Sequence, residues 1–147
     1  MFNERQSALA TRCLWSLQES NLAIDGILLL HVRGTTLCTT LPQNGSTQRL
    51  AAVSTAMFLL GEHTSEAWGN GESLEIQVRI QLSNENNATS MRNVTMKPVG
   101  PWAVLLTVHR DLIQQVTLSQ DMDQAARFLE AVINEDTLPP LTWQNNE

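Results

Sequence analysis

The sequence has no long hydrophobic run, no run of basic residues and no apolar leader, and each of these absences excludes a class of protein. Its apolar runs, such as residues 27–30, are far too short to cross a bilayer. Its first residues lack the apolar core of a secretory signal. Lysine and arginine are scattered along a chain with a net charge of −6, whereas nucleic acids and anionic membranes attract basic surfaces. We therefore predict a cytoplasmic protein with no nucleic-acid partner and no membrane insertion.

Cysteine is also scarce, which limits the disulfide bonds that could stabilise the chain. Cys13 and Cys38 are the only two, and they do not form a CxxC motif, so no disulfide framework is indicated. We interpret both as reduced, buried thiols. A chain of 147 residues, 42% of them hydrophobic, can bury a hydrophobic core without disulfide bonds or a structural metal ion. We predict one domain over residues 1–136 and, because of a proline pair, an extended or disordered tail at 137–147.

Apolar periodicity predicts three helices and five strands. The predicted order is helix (residues 4–19), two strands (24–32 and 35–40), helix (46–68), three strands (74–82, 91–97 and 102–109) and helix (121–134). Segment 111–118 fits neither pattern clearly. Hairpins join most neighbouring strands, so we expect an antiparallel sheet with helices on both faces, which makes an α/β domain of two or three layers.

Polar residues mark the expected helix starts. Ser46 or Thr47 can cap the second helix and Ser119 the third, because a hydroxyl can accept a hydrogen bond from an unpaired amide of the first turn. Asp121 and Asp123 would then lie in the first turn of the last helix, where the helix dipole favours negative charge.

The strands differ in how many of their faces are apolar. Residues 27–30 and 103–106 are apolar on both faces, which is typical of central strands covered on both sides. Residues 74–82 alternate strictly between apolar and polar side chains, so this strand is predicted to be buried on one face only.

The second helix has more apolar surface than one sheet can cover. One stripe contains Leu50, Val53, Met57 and Leu60, and an adjoining stripe contains Ala52, Ala56, Phe58 and Leu59. A helix that packs on a sheet needs only one apolar stripe, about 100° wide. We therefore expect one stripe to contact the sheet and the other to contact a further partner.

Most of the chain, from about residue 9 to 133, resembles the roadblock/dynein light chain family. The opening hairpin with its glycine turn, the start of the long helix, the junction between helix and alternating strand, and the last strand all match the family pattern. The matching segments are Asp25-Gly26-Ile27-Leu28-Leu29-Leu30, Arg33-Gly34-Thr35-Thr36-Leu37, Leu50-Ala51-Ala52-Val53, Gly69-Asn70-Gly71-Glu72 and Pro101-Trp102-Ala103-Val104-Leu105-Leu106.

This resemblance implies a three-layer α-β-α sandwich whose five-stranded antiparallel sheet has the strand order second, first, fifth, fourth, third. Residues 74–82 would then be an edge strand that pairs with its copy, while the long helix packs on its own copy in an isologous homodimer. The residues expected at the dimer interface are Leu50, Val53, Met57, Leu59, Leu60, Leu74, Ile76, Val78 and Ile80.

The resemblance also implies the function of a protein-binding module without a cofactor. Members of the family regulate small Ras-like GTPases as homodimers, or serve as scaffolds or motor light chains. Such a module would position the switch residues of the GTPase. An arginine finger is the alternative, for which Arg49, Arg79, Arg92 and Arg110 are candidates. Two other functions stay open: a small-ligand sensor of profilin-like topology, and a structural adaptor subunit of a motor or larger complex.

The residue types that carry catalysis do not form a recognisable motif. His31 and His109, with Cys38 nearby, would meet only if the first and fifth strands are neighbours, and no acidic residue close in sequence completes a metal site. Ser54, Thr55 and Ser65 lack a nucleophile elbow for His63, and the glycines at 69 and 71 are not followed by a phosphate-loop lysine. Glu62, Glu66, Glu72 and Glu75 are interpreted as a solvated face. We therefore predict that the protein is not an enzyme and binds no metal.

The tryptophans are assigned from their position in the predicted elements. Trp68 and Trp102 border the long helix and the last strand, so we expect them in the core. Trp143 lies in the tail, where it would either pack back on the domain or contact a partner.

Overall fold

A computed structural model of the chain describes residues 2–83, 85–86, 88–110 and 115–145. Its elements are α1 (Glu4–Ser20), β1 (Ile24–His31), β2 (Thr36–Thr39), α2 (Gly45–Gly69), β3 (Ile76–Ser83), β4 (Thr89–Val99), β5 (Ala103–His109), α3 (Gln115–Asn134) and a final 3-10 turn, η1 (Thr142–Asn145). This order confirms the predicted sequence of helices and strands. Among the described helices, none has the length and apolar content needed to cross a membrane.

The sheet is antiparallel with the strand order β2-β1-β5-β4-β3, as predicted. One hydrophobic cluster lies between the sheet and the helices α1 and α3, and a second lies between the opposite face and α2. The fold is therefore the three-layer α-β-α sandwich that the resemblance implies.

The central strands β1 and β5 supply both clusters from alternating side chains. In β1, Ile27 and Leu29 belong to the cluster under α1 and α3, whereas Leu28 and Leu30 belong to the cluster under α2. Because a strand directs successive side chains to opposite faces, a strand covered on both sides must be apolar throughout. This confirms the reason given for placing these strands at the centre.

The residue that caps helix α2 lies earlier in the chain than predicted. The side chain of Asn44 accepts a hydrogen bond from the Thr47 amide at 3.0 Å, so Asn44 is the cap, and the prediction of Ser46 or Thr47 was wrong. The Thr47 hydroxyl instead donates to the Pro42 carbonyl at 2.5 Å, which ties the helix start to the preceding loop. The helix ends at Asn70, whose φ of 58° is the left-handed conformation that terminates many helices.

Helix α3 begins at least as early as Gln115, so the predicted cap at Ser119 was wrong. Asp121 and Asp123 consequently lie beyond the first turn, and neither acts on the unpaired amides there. Partial burial instead raises the pKa of the Asp121 carboxyl. Of the unassigned segment, residues 111–114 lie outside the described part of the chain, and residues 115–118 are helical.

Two of the tryptophans, Trp68 and Trp102, do not lie where the sequence predicts. Trp68 is 94% exposed in the last turn of α2, and Trp102 is 60% exposed in the turn between β4 and β5, so neither is a core residue. Trp143 packs back on the domain, where its indole N–H donates to the Ser16 hydroxyl at 2.8 Å. Residues 137–141 have no regular structure, and Leu141 is buried against the same cluster.

Candidate functional site

Helix α2 contacts the sheet through its small side chains and leaves a large apolar stripe uncovered. Its buried residues are Thr47, Ala51, Ser54, Thr55 and Phe58. Val53 is 53% exposed and Leu60 is 64% exposed, whereas Leu50 and Met57 are half-buried. The prediction that one of the two apolar stripes contacts the sheet was wrong, because Ala52, Ala56 and Leu59 of the second stripe are exposed as well. The stripe formed by Leu50, Val53, Met57 and Leu60 borders the cluster under α2 through Leu50 and Met57 and is otherwise uncovered.

Two glycines set the side toward which this stripe faces. A Cβ atom on Gly61 would lie 2.5 Å from Cδ1 of Ile76, so the missing side chain lets α2 approach β3. On the other flank of the helix, Thr55 lies beside Gly34 in the turn between β1 and β2. Since residues advance by about 100° each around a helix, Val53 and Leu60 lie on the side of α2 turned away from the sheet, nearer to the flank of Gly61 and β3 than to that of Thr55.

Strand β3 is the edge of the sheet on this flank. In the described part of the chain it pairs with β4 alone, so its outer row of backbone groups has no strand partner. Ile76, Val78 and Ile80 are only half-buried beside α2, and Leu74, just before the strand, is exposed. An eight-residue edge strand with an apolar face is prone to pair with another chain unless it is blocked.

The uncovered helix stripe and the edge strand form one continuous surface, which we call the α2–β3 face. It contains eight of the nine residues expected at the dimer interface: Leu50, Val53, Met57, Leu60, Leu74, Ile76, Val78 and Ile80. The ninth, Leu59, lies on the other flank of α2, where it lines a groove with Val32 and Glu62. A one-residue step along a helix turns a side chain through about 100°, which separates Leu59 from Leu60.

The only lysine of the chain, Lys97, is buried beneath the start of β3. Its side chain is 7% exposed, and its ammonium group contacts Asp123 Oδ1 at 2.7 Å and Glu75 Oε1 at 3.4 Å. It also donates to the Ser119 hydroxyl at 2.8 Å. Lys97 thus joins α3 to the residue that precedes the edge strand. Glu75 is exposed, as the sequence predicts, but one of its carboxylate oxygens pairs with this buried ammonium group.

Replacing Lys97 with Met should lower the free energy of unfolding by about 2 kcal/mol, because charge-assisted hydrogen bonds are lost from a buried site of unchanged volume. Urea denaturation followed by circular dichroism measures this loss. Arg127→Met removes one exposed positive charge from α3 and should change stability by less than about 0.5 kcal/mol. Equal, small effects of both substitutions would contradict a stabilising role for Lys97.

Lys97 is one end of a buried polar row on the sheet face that α3 covers. Asn93, Thr95 and Thr107 continue the row to His109, whose Nδ1–H donates to the Arg110 carbonyl at 3.0 Å and whose Nε2 lies 2.9 Å from the Thr95 hydroxyl. The cavity beside this row has a volume of about 20 Å³, which is room for about one water molecule. A small-ligand sensor would need more space at this place.

This buried row is not recognisable in the sequence, because alternating polar residues in a strand indicate a solvent-facing side. The spacing of two residues between Asn93, Thr95 and Lys97 is typical of a solvent-exposed face of a sheet. The hydroxyl groups and amide here instead face α3. The lysine itself was the available signal, since a lone lysine within a strand covered on both sides must find a partner.

The candidate metal ligands are not brought together. Strands β1 and β5 are neighbours as supposed, but their antiparallel register places His109 opposite Ile24 and His31 opposite Ala103, at the two ends of the pair. Within the described residues, no group of three histidine, cysteine or acidic side chains is arranged to hold a metal ion. The candidate nucleophiles are separated too, because Ser54 and Thr55 are buried against the sheet while His63 is exposed.

The four candidate arginines divide into two pairs. Arg92 contacts Asp25 at 2.6 Å through Nε, and Arg110 lies 4.0 Å from the same carboxylate, so both are tied to the start of β1. Arg49 lies in the first turns of α2 and Arg79 on the polar face of β3, and both are exposed.

Comparison with known proteins gives matches at the level of structure. No protein-family model matches the chain, and no curated protein sequence matches it. Among solved structures, MglB of Myxococcus xanthus matches with a TM-score of 0.75 at 15% identity, over 92% of this chain and 94% of that one. The gliding protein MglB of Thermus thermophilus matches with a TM-score of 0.72 at 14% identity, over 92% and 95%.

A third match is to a solved structure that carries the domain name itself. The Roadblock/LC7 domain from Streptomyces avermitilis matches with a TM-score of 0.71 at 15% identity, over 84% of this chain and 97% of that one. The chain therefore has the roadblock/LC7 fold, which confirms the resemblance seen in the sequence at the level of the fold.

Proposed function

We propose that this protein is a non-catalytic, homodimeric binding module that regulates or scaffolds a small Ras-like GTPase. The observation that carries the proposal is the α2–β3 face, where an uncovered apolar stripe lies beside a strand that has only one strand neighbour in the described part of the chain. Soluble domains seldom leave such a surface open to water, because it promotes association.

A second copy of the chain suits this face better than an unrelated strand. Pairing of β3 with its copy across a two-fold axis would continue the sheet from one protomer into the next and complete the backbone hydrogen bonds of both edges. The same axis would set the two α2 helices side by side, so that Val53 and Leu60 leave water together with the half-buried Ile76 and Val78.

The GTPase is proposed from the family resemblance and the shared fold. A module of this kind would act by holding the switch segments of its partner in place. Arg92 and Arg110 are tied to Asp25, which disfavours them as fingers that reach into a second protein. Arg49, which is exposed in the first turns of α2, is an arginine whose position would allow it. The cytoplasmic location stays a prediction.

Light scattering on the wild-type chain tests the dimer directly. We expect a mass twice the 16.4 kDa of one chain at micromolar concentrations. A monomer that persists up to the millimolar range would contradict the proposed assembly.

A GTPase assay tests the partner and the mechanism. Ras-like GTPases from the same genome, loaded with GDP or a non-hydrolysable GTP analogue, are passed over the immobilised protein, and hydrolysis is then followed for any that bind. We expect one GTPase to bind with a preference for one nucleotide state. Changing both Arg49 and Arg79 to Ala should alter turnover only a few-fold, whereas loss of an arginine finger costs about 10³-fold or more. Retention of no GTPase would favour a structural adaptor instead.

A further inference from the structure

A second surface lies along the C-terminal half of α2 and extends to the segment that leads into β3. It is a groove of about 590 Å³ between α2, the loop that follows it, and the turn between β4 and β5. Val32, Phe58 and Leu59 form its apolar floor together with Pro98 and Pro101. Leu59 is exposed there, which makes the groove a further uncovered apolar surface on this domain.

Three carboxylates line this groove, each from a different element. Glu62 belongs to α2, Glu72 to the loop after α2, and Glu130 to α3. Gly100 admits the last of these, because a Cβ atom on Gly100 would lie 3.3 Å from Oε1 of Glu130. The φ of Gly100 is 59°, a conformation that other residues rarely adopt, so the turn is built to pass close to this carboxylate.

No basic side chain balances these charges within the groove. None of its lining residues is lysine, arginine or histidine, and Arg33, in the neighbouring turn, is not among them. In the described part of the chain, no ion pair is found for Glu62, Glu72 or Glu130. Three carboxylates around an apolar floor make the groove electronegative, which a cationic occupant would complement.

We propose that this groove binds an extended segment of a partner protein in which an apolar side chain is flanked by arginine or lysine. The apolar side chain would cover Phe58 and Leu59, while its basic neighbours would reach the three carboxylates. Charge complementarity argues against a second copy of this chain as the occupant. With a net charge of −6, one copy would bring further negative charge to an acidic groove.

The groove adjoins the α2–β3 face, because Glu72 and Ser73 line it and directly precede Leu74. Its apolar floor is nevertheless different, since Val32, Phe58 and Leu59 do not belong to the uncovered stripe with Val53 and Leu60. The proposal does not rest on the homodimer or on the GTPase, so its test can succeed or fail whether or not the chain dimerises.

The test uses a short fluorescein-labelled peptide of alternating arginine and leucine, and its counterpart of alternating glutamate and leucine, in fluorescence anisotropy with the full chain. We expect the basic peptide to bind and the acidic peptide not to bind. The double variant Glu62→Gln/Glu130→Gln should weaken binding of the basic peptide about tenfold, because two charge pairs at the rim are lost. Leu59→Gln should also weaken binding of the basic peptide several-fold, because the groove loses apolar surface that a leucine of the peptide would cover.

A matched control separates the groove from the general negative charge of the chain. Glu4→Gln/Glu19→Gln removes two carboxylates from the exposed surface of α1 and should leave the affinity within about twofold. Equal weakening by both double variants would assign the binding to net charge and overturn the proposal, as would failure of the basic peptide to bind. Circular dichroism of each variant shows that the fold is intact.

Discussion

Replacing Val53 and Leu60 together with lysine is expected to convert a dimer of this chain into a folded monomer. Both side chains are exposed in the single chain, so the folded protomer loses little by the change. In a two-fold dimer each substitution occurs twice, and four lysines would have to lose water near one axis without partners. We expect the dissociation constant to rise by about 10³-fold or more, measured by light scattering over a concentration series.

Leu59→Lys is the matched control on the same helix. Its exposure is similar to that of Val53, yet it lies on the groove flank, so we expect this variant to stay dimeric. The prediction from the sequence placed Leu59 in the dimer interface as well. The two variants therefore distinguish an interface formed by the Val53 and Leu60 side of α2 from one that also includes Leu59. A dimer that survives Val53→Lys/Leu60→Lys, or that is lost in Leu59→Lys, would contradict dimerisation through the α2–β3 face.

The helix substitutions are a sharper test than substitutions in the strand. Ile76 and Val78 are half-buried and pack against the cluster under α2, so lysine there removes core contacts as well as interface contacts. A monomer produced by those changes would not distinguish a broken interface from a damaged protomer. Val53 and Leu60 avoid the ambiguity because the protomer itself scarcely uses them.

The fold was predictable where the same physical constraint acts along a whole segment. Residues 27–30 and 103–106 are apolar on both faces, and the strands they form are covered by helices on both sides. Residues 76–82 alternate, and the strand is an edge with one half-covered face. Burial constrains every residue of such a strand, so the apolar pattern of the whole segment predicts whether the strand is central or at the edge of the sheet.

Features that depend on a single side chain were not predictable in this way. Asn44 rather than Ser46 caps α2, because the loop geometry decides which of several capable residues reaches the amide. Trp68 and Trp102 are large apolar residues, yet their positions at element ends place them outside both clusters. The partners of Lys97 come from α3 and the segment that leads into β3, which are far apart in sequence, and only the folded chain brings them together.

The candidate site was predictable in its composition and not in its orientation. Sequence periodicity predicted that one of two apolar stripes of α2 faces the sheet, whereas the buried face of the helix contains Ala51, Ser54 and Thr55, which belong to neither stripe. Gly61 lets this face lie close to β3, because a side chain there would collide with Ile76. The result places small residues such as Ala51 and Ser54 against the sheet and leaves the larger ones for a partner.

The two thiols are expected to be nearly inert in the folded protein. Burial raises the pKa of Cys13 to about 12, and the neighbouring Cys38 adds to the rise through its charge. Burial also raises the pKa of Cys38 to about 12, against a smaller opposing effect of a hydrogen bond from Thr11. At pH 8 the reactive thiolate is then on the order of 10³-fold scarcer than in an unfolded chain, where a thiol titrates near its ordinary pKa.

Thiol labelling with a disulfide reagent at pH 8 measures this protection. We expect modification at least about 10³-fold slower in buffer than in denaturing urea, with both thiols appearing together as the chain unfolds. Cys13 lies on α1 and Cys38 on β2, so a reaction of one thiol alone would report a local opening between these two elements. Rapid labelling of the native protein would contradict the buried position of both.

The same pKa shifts set the sign of a pH effect on stability. A thiol whose pKa is raised on folding contributes its full stability below the unfolded value of about 9. Above that pH the unfolded chain loses protons that the folded chain retains, so stability falls as the pH rises from about 9 toward 12. In Cys13→Ala/Cys38→Ala this alkaline decline should be shallower, measured as urea midpoints over the range. An equally steep decline in the double variant would show that other groups cause it, and that the two cysteines are not buried as unionised thiols.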